Sequence, residues 1–118
     1  MRISGFLLAA LLLTAPAQAI AHARLDHAVP AVGSTGPAPK EVVLTFTEGV
    51  EPKFSSIQVV NEKGAPVQAG AARLGASRTE LRVSVKPLPP GTYQVIWKVL
   101  SVDTHRTNGS FSFTVGGK

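Results

Sequence analysis

The fold is decided by an alternating stretch near the C-terminus, Tyr93-Gln94-Val95-Ile96-Trp97-Lys98-Val99-Leu100. Its large apolar side chains recur in steps of two from Tyr93 to Val99. Successive side chains of an extended chain point to opposite faces, so these residues share one face while Gln94 and Lys98 lie on the other. The pattern predicts the longest strand of the protein, with one face turned towards a core.

The residues that follow repeat the alternation and predict a partner for this strand. Phe111, Phe113 and Val115 alternate with small polar residues. Before them stands Asn108-Gly109, a dipeptide typical of tight hairpin turns. We therefore expect the chain to turn at 108–109 and the last two strands to form a hairpin or near-hairpin.

Earlier segments predict further strands. Residues 41–47 and 56–60 are rich in β-branched side chains, a short strand is expected around Val67, and apolar residues alternate again over 81–85. No segment has an apolar period of 3.6 over ten or more residues. The sequence therefore predicts an all-β protein, an antiparallel sandwich or barrel of Greek-key topology.

Length and composition limit the kind of protein further. The 118 residues make one domain at most. The lack of cysteine excludes disulfides, zinc–thiolate sites and iron–sulfur clusters. The 12 Lys and Arg against 7 Asp and Glu give a mild positive charge that is scattered along the chain. Without a basic stripe or a stacking platform of aromatic residues, we expect no nucleic-acid partner.

Residues 1–21 are typical of a secretory signal peptide, with Arg2 at the start, an apolar run at 6–13 and small residues after it. The run is shorter than the ~20 residues that cross a bilayer. We therefore expect export, and no stable membrane insertion of the mature domain, residues 22–118. Small residues allow cleavage after position 19, 21 or 23. Only the second register places His22 at the new N-terminus.

Three histidines and one carboxylate have the chemistry of metal ligands. The histidines are His22, His27 and His105, and the last follows Asp103 by two residues. In extended backbone, residues two apart point to the same side, so Asp103 and His105 could reach one ion. Such a triplet alone also fits a solvated loop. An N-terminal histidine strengthens the metal interpretation, because its amine and ring can close on one ion as a chelate.

The donor types predict which metal would be bound. Amine, imidazole and carboxylate donors suit Cu(II), which heads the affinity order of the divalent metals, whereas Cu(I) prefers sulfur. The chain has no Cys, and its only Met, Met1, would leave with the leader. A mature chain without sulfur favours a Cu(II) site.

Several segments, in their order along the chain, resemble one family. They are His22-Ala23, the turn at 30–33, and the stretches 39–48, 88–93 and 97–105. Together they resemble the CopC family of periplasmic copper-resistance proteins over nearly all of residues 22–118. The resemblance implies a sandwich of immunoglobulin-like or cupredoxin-like character. It also implies one Cu(II) per chain, bound by the amine and ring of His22, the carboxylate of Asp103 and the ring of His105.

The chain departs from the family pattern at some positions. Some members have a histidine two places after the first, or a methionine-rich loop for Cu(I), where this chain has Arg24 and a mature part without Met. For His27 the sequence leaves three roles open: a surface residue near the site, a hydrogen-bond partner of a ligand, or a weak fourth ligand. Glu48 stands where the family often has a carboxylate near the metal, although a solvated Glu at a strand end fits equally well.

The resemblance implies a protein of copper resistance and homeostasis that is not an enzyme. It would sequester Cu(II) in the periplasm or pass it to a CopD-type partner in the inner membrane. One alternative is a copper oxidase or monooxygenase with the same chelate of amine and two rings, the histidine brace, but Asp103 would fill the open position that such an enzyme needs. Another is an immunoglobulin-like interaction module without metal. Metal analysis of the protein purified from periplasm distinguishes this metal-free module from the copper proteins.

Overall fold

A computed structural model describes residues 23–117 of the chain. The predicted signal peptide, its cleavage point and His22 lie outside these residues. Within the described part, the chain forms eight strands arranged as two four-stranded sheets. The buried side chains of the two sheets form one common core.

The chain crosses several times between the two sheets. The first sheet contains, from edge to edge, β1 (Leu25–Val29), β3 (Glu41–Phe46), β6 (Glu80–Ser84) and β5 (Arg73–Leu74). The second contains, from edge to edge, β2 (Thr35–Gly36), β8 (Arg106–Val115), β7 (Gly91–Leu100) and β4 (Ser56–Val60). Neighbouring strands pair antiparallel except β2 and β8, which run parallel. This arrangement confirms the predicted all-β, antiparallel sandwich of Greek-key type.

The core is built by the alternation that the sequence shows. In β7, Val95, Trp97 and Val99 are buried, and the residues between them are exposed or half-buried. From the other sheet, Phe46 packs edge-to-face against Trp97 with the ring centroids 5.2 Å apart. Full burial of a large apolar side chain contributes about 1.5–3 kcal/mol. Because the chain has no cysteine, apolar contacts such as this one, rather than disulfides, hold the two sheets together.

The last two strands form the predicted hairpin, but the predicted turn at Asn108-Gly109 is wrong. β7 and β8 pair over ten residues each, with Lys98 opposite Asn108 and Trp97 opposite Gly109. The chain reverses at 101–105 instead. Gly109 is needed for space, because a Cβ there would lie 2.6 Å from Cζ2 of Trp97. The Asn-Gly dipeptide lies within a strand whose glycine makes room for the indole ring.

Other differences from the prediction lie at the sheet edges. Around Val67 the chain forms only isolated bridges, at Pro66 and Gln68, rather than a strand. Strands β1, β2 and β5 were not predicted from the sequence. In β1 only Ala28 is buried, so this edge strand lacks the apolar alternation that marks the central strands.

The close contact between Gly109 and Trp97 predicts a specific loss of stability. Gly109→Ala is expected to lower the free energy of unfolding by about 1–3 kcal/mol, because the new methyl group overlaps the indole ring and overpacks the core. Urea unfolding measures the loss, with the fluorescence of Trp97, the only tryptophan of the chain, as the signal.

Gly36→Ala is the matched control for that variant. Gly36 also lies in a strand of the second sheet, and a Cβ built on it meets no atom within 4 Å. We expect this control to retain the parent stability. If the two variants unfolded alike, the close contact would not be the reason for glycine at position 109.

Candidate metal centre

The turn that joins β7 to β8 contains the triplet Asp103-Thr104-His105. The N–H of Ser101 donates to the carbonyl of His105 at 2.9 Å, and the N–H of Thr104 donates to the carbonyl of Ser101 at 2.8 Å. Thr104 has a φ of 70°, the left-handed conformation that closes three-residue hairpin loops. The expectation of extended backbone at the triplet is therefore wrong, because these residues make the turn itself.

The turn nevertheless brings the side chains of Asp103 and His105 together. Oδ1 of Asp103 lies 3.3 Å from Nδ1 of His105. The exposed fractions of the two side chains are 40% and 49% respectively, so an ion can approach them from solvent. A carboxylate and an imidazole thus stand side by side at the tip of the longest hairpin.

Ser101 supports this pair from the buried side of the turn, with only 1% of the residue exposed. Its hydroxyl donates to Oδ1 of Asp103 and accepts the N–H of His105 at 3.2 Å. The pKa of Asp103 lies below its ordinary value, and the hydrogen bond from Ser101 is the largest cause. Desolvation, the second-largest effect, raises the pKa, and contacts with His105 lower it further. The carboxylate is therefore ionised at neutral and mildly acid pH, the form that binds a metal.

The loop that follows β3 lies beside the turn. The carbonyl of Gly49 accepts the N–H of Val102 at 2.9 Å, and Val50 forms a bridge with Ser101. Glu48 directly precedes Gly49 and is half-buried. The carboxylate that the sequence analysis treated as doubtful therefore belongs to a loop that contacts the turn.

The start of the described chain lies at the same end of the sandwich. Oγ1 of Thr107, near the start of β8, donates to the carbonyl of Ala23 at 2.8 Å. Arg24 and Thr47 exchange two hydrogen bonds, one from the N–H of Arg24 to Oγ1 of Thr47 and one from the N–H of Thr47 to the carbonyl of Arg24, both 2.9 Å. Ala23 directly follows His22 in the sequence and is fully buried.

The described residues supply two of the three predicted ligands. Among residues 23–117, no group of three or more His, Cys, Asp or Glu side chains is placed to bind a metal ion. Asp103 and His105 form a pair, and His22 lies outside the described residues. His27 is an exposed residue of β1, and its Nδ1 lies 3.1 Å from Oδ2 of Asp26.

Sequence reasoning missed the residues that hold this end of the molecule together. Ser101, Thr104 and Thr107 show neither an apolar period nor a charge, and serine and threonine are common in strands and loops alike. One signal could have found Ser101. It directly follows the predicted longest strand and stands two residues before Asp103, a spacing at which a Ser or Asp side chain bonds locally in turns.

Comparison with known proteins decides the family. Residues 25–116 match the family model described as the CopC domain. The chain belongs to the CopC family. Copper resistance protein C of Pseudomonas syringae pv. tomato is 35% identical over 114 residues, which cover 91% of this chain and 89% of that protein. The resemblance predicted from the sequence is confirmed.

Two solved structures of CopC-type proteins share the fold. CopC from Methylosinus trichosporium OB3b has a TM-score of 0.76 at 36% identity, with 81% of this chain and 95% of that chain covered. PcoC from Escherichia coli, described as a methionine-rich copper resistance protein, has a TM-score of 0.72 at 36% identity, with 80% and 99% covered. This chain, by contrast, contains the single methionine Met1.

Family membership places the protein in copper resistance and implies that it binds copper. CopC proteins are periplasmic copper-binding proteins and are not known enzymes. In the described part of the chain, no helix combines the length and the apolar character needed to cross a membrane.

Ser101→Ala is expected to raise the pKa of Asp103 towards its ordinary value, because it removes the largest cause of the lowering. A lowered carboxyl pKa stabilises the fold above the ordinary value of ~3.9, and this contribution is lost as the pH falls through the lowered pKa. The stability difference between parent and variant should therefore be full at neutral pH and shrink in acid.

Titration of the Asp103 carboxyl carbon by NMR and urea unfolding at several pH values measure the two effects. Ser110→Ala is the control, because Ser110 is an exposed serine on β8. An Asp103 titration unchanged by Ser101→Ala would contradict the assigned cause.

Proposed function

We propose that this protein binds one Cu(II) per chain in the periplasm and either sequesters it or passes it to a CopD-type membrane partner. The ligands are the amine and ring of His22, the carboxylate of Asp103 and the ring of His105. The observation that supports this best is the 3.3 Å pair of Asp103 and His105. The turn that contains this pair lies at the same end of the sandwich as Ala23, the residue that follows His22.

The ionisation of Asp103 supports Cu(II) as the cargo. A carboxylate that is ionised across neutral and mildly acid pH adds a negative oxygen donor to nitrogen donors, a set that suits a divalent ion. A mature chain that starts at His22 contains no sulfur donor for Cu(I). This donor set supports Cu(II) rather than Cu(I) as the bound ion.

The exposure of the pair supports a binding protein that can release its copper. Both side chains are about half exposed, so the ligands of another protein can reach an ion bound there before it has left the first site. A carboxylate ligand also occupies a coordination position that an oxygen-activating enzyme would keep open. The arrangement therefore favours storage and transfer over catalysis.

His105→Ala is expected to weaken Cu(II) binding by more than the roughly 10–100-fold that follows loss of a ligand's hydrogen-bond partner. Competition titration against a chelator of known affinity measures the change, and far-UV circular dichroism confirms that the fold is retained. His27→Ala is the matched control, because it removes an exposed histidine whose ring contacts Asp26 rather than the pair. Equal copper affinity in the His105 variant and the parent would remove His105 from the site.

Moving the N-terminal amine tests the third ligand. Adding Gly-Pro ahead of His22 separates the amine from the imidazole, and the added proline has no N–H that could be released to bind copper instead. The extended protein is expected to bind Cu(II) much more weakly than protein that starts at His22. Equal affinity would show that the amine is not a ligand.

The pH dependence of binding provides a second readout of the same variant. An α-amino group has an ordinary pKa of ~7.7–8.0 and an imidazole ~6.5, and both must lose a proton to bind a metal. Affinity should therefore fall as the pH is lowered from neutral to mildly acid values. The extended protein should show a shallower fall, because the amine no longer contributes a released proton. An identical pH profile would contradict the proposed chelate.

A further inference from the structure

We infer that Thr107 is a positioning residue of the copper site. Its hydroxyl holds Ala23, and therefore the point from which the N-terminal ligand extends, against the turn that contains Asp103 and His105. The inference rests on the proposed function, because it concerns how the predicted ligands are brought to one ion. Thr107 itself is not proposed to touch the metal.

The hydrogen bond of Thr107 connects the second sheet to the segment that leads into the first sheet. Thr107 belongs to β8 in the second sheet, where it pairs with Val99, whereas Ala23 leads into β1 at the edge of the first sheet. The 2.8 Å bond between Oγ1 and the carbonyl spans 84 residues of sequence. Since Ala23 has no exposed surface, water cannot replace a lost donor at low cost. The bond is therefore specific to a hydroxyl at position 107.

The bond lies close along the chain to two of the proposed ligands. Thr107 follows His105 by two residues, a separation of about 7 Å in a strand. His22 precedes Ala23, and consecutive Cα atoms lie ~3.8 Å apart. His22 is therefore attached to a residue that Thr107 holds, and Thr107 lies two positions after His105.

A second attachment holds the segment from the opposite sheet. The two hydrogen bonds between Arg24 and Thr47 tie the next residue to the end of β3. The segment 23–24 is thereby held by Thr107 on one side and by Thr47 on the other. Of the two side chains, Thr107 belongs to the strand that begins directly after His105, so it sets the distance between the two parts of the site.

Holding the segment before copper arrives has a thermodynamic consequence. Ordering a chain segment costs conformational entropy, and a site that is ordered in advance does not incur this cost on binding. Loss of the Thr107 hydroxyl should therefore weaken copper binding although every ligand atom remains. It should also broaden the range of copper geometries, because the N-terminal ligand can then approach the ion from several directions.

The experiment compares three variants of protein processed to start at His22. Thr107→Val keeps the shape of the side chain and removes the donor, whereas Thr107→Ser keeps the donor. Thr114→Val is the matched control. Thr114 is half-buried near the far end of the same strand, and its hydroxyl lies 3.2 Å from that of Thr92. Cu(II) affinity by chelator competition and the electron paramagnetic resonance spectrum are measured for each, with thermal unfolding of the copper-free proteins.

We expect Thr107→Val to raise the Kd for Cu(II) about tenfold, the size of one lost hydrogen bond. Its resonance spectrum should become broader or heterogeneous. Thr107→Ser and Thr114→Val should match the parent in affinity and spectrum, whatever their melting temperatures. A merely structural role of Thr107 would change the melting temperature and leave the copper spectrum unaltered, and that outcome would overturn the inference.

His105→Ala, measured beside these variants, separates the inference from the proposed function. If His105→Ala binds copper weakly and Thr107→Val binds it as the parent does, the site stands and Thr107 has no positioning role. If His105→Ala binds copper as tightly as the parent, His105 is not a ligand, the proposed site fails, and the inference fails with it.

Discussion

The ten-residue antiparallel pairing of β7 with β8 is the interaction on which the rest of the structure depends. It provides most of the second sheet, and its inward residues form one wall of the core. The pairing keeps its register across Trp97 because the opposite residue is a glycine, which leaves room for the indole ring. Once that register is set, the chain can reverse only at 101–105. The core therefore determines where the polar turn stands.

The turn unites a structural role with a chemical one. Ser101 is buried at the base of the turn, and its hydroxyl reaches both the carboxylate of Asp103 and the backbone of His105. The same hydroxyl that supports the turn also lowers the pKa of Asp103 and holds its carboxylate beside the imidazole. The short loop of the hairpin thus sets the geometry of the candidate ligands. They are accessible because this loop lies at the end of the sandwich.

The division between core and site fits a protein that handles copper in transit. The apolar side chains between the sheets form a core that contains none of the proposed metal ligands. The polar groups lie at one end, where three segments meet: the turn, the loop after β3 and the start of the described chain. Membership of the CopC family accords with this division, and the pair of Asp103 and His105 is the part of it exposed to solvent.

The sequence by itself predicted the fold class, strands at 41–47, 56–60 and 93–100, and the proximity of Asp103 to His105. The alternation of apolar and polar residues indicates which side chains are buried. The donor atoms of the side chains indicate which of them can bind a metal. Only the tertiary structure decided that Asn108-Gly109 lies in a strand and that the triplet makes the turn. Register is decided by contacts between residues far apart in sequence, such as the indole ring over Gly109. The hydrogen bond from Thr107 to Ala23 could not be predicted for the same reason, because it joins a strand of the second sheet to the segment before β1, 84 positions away.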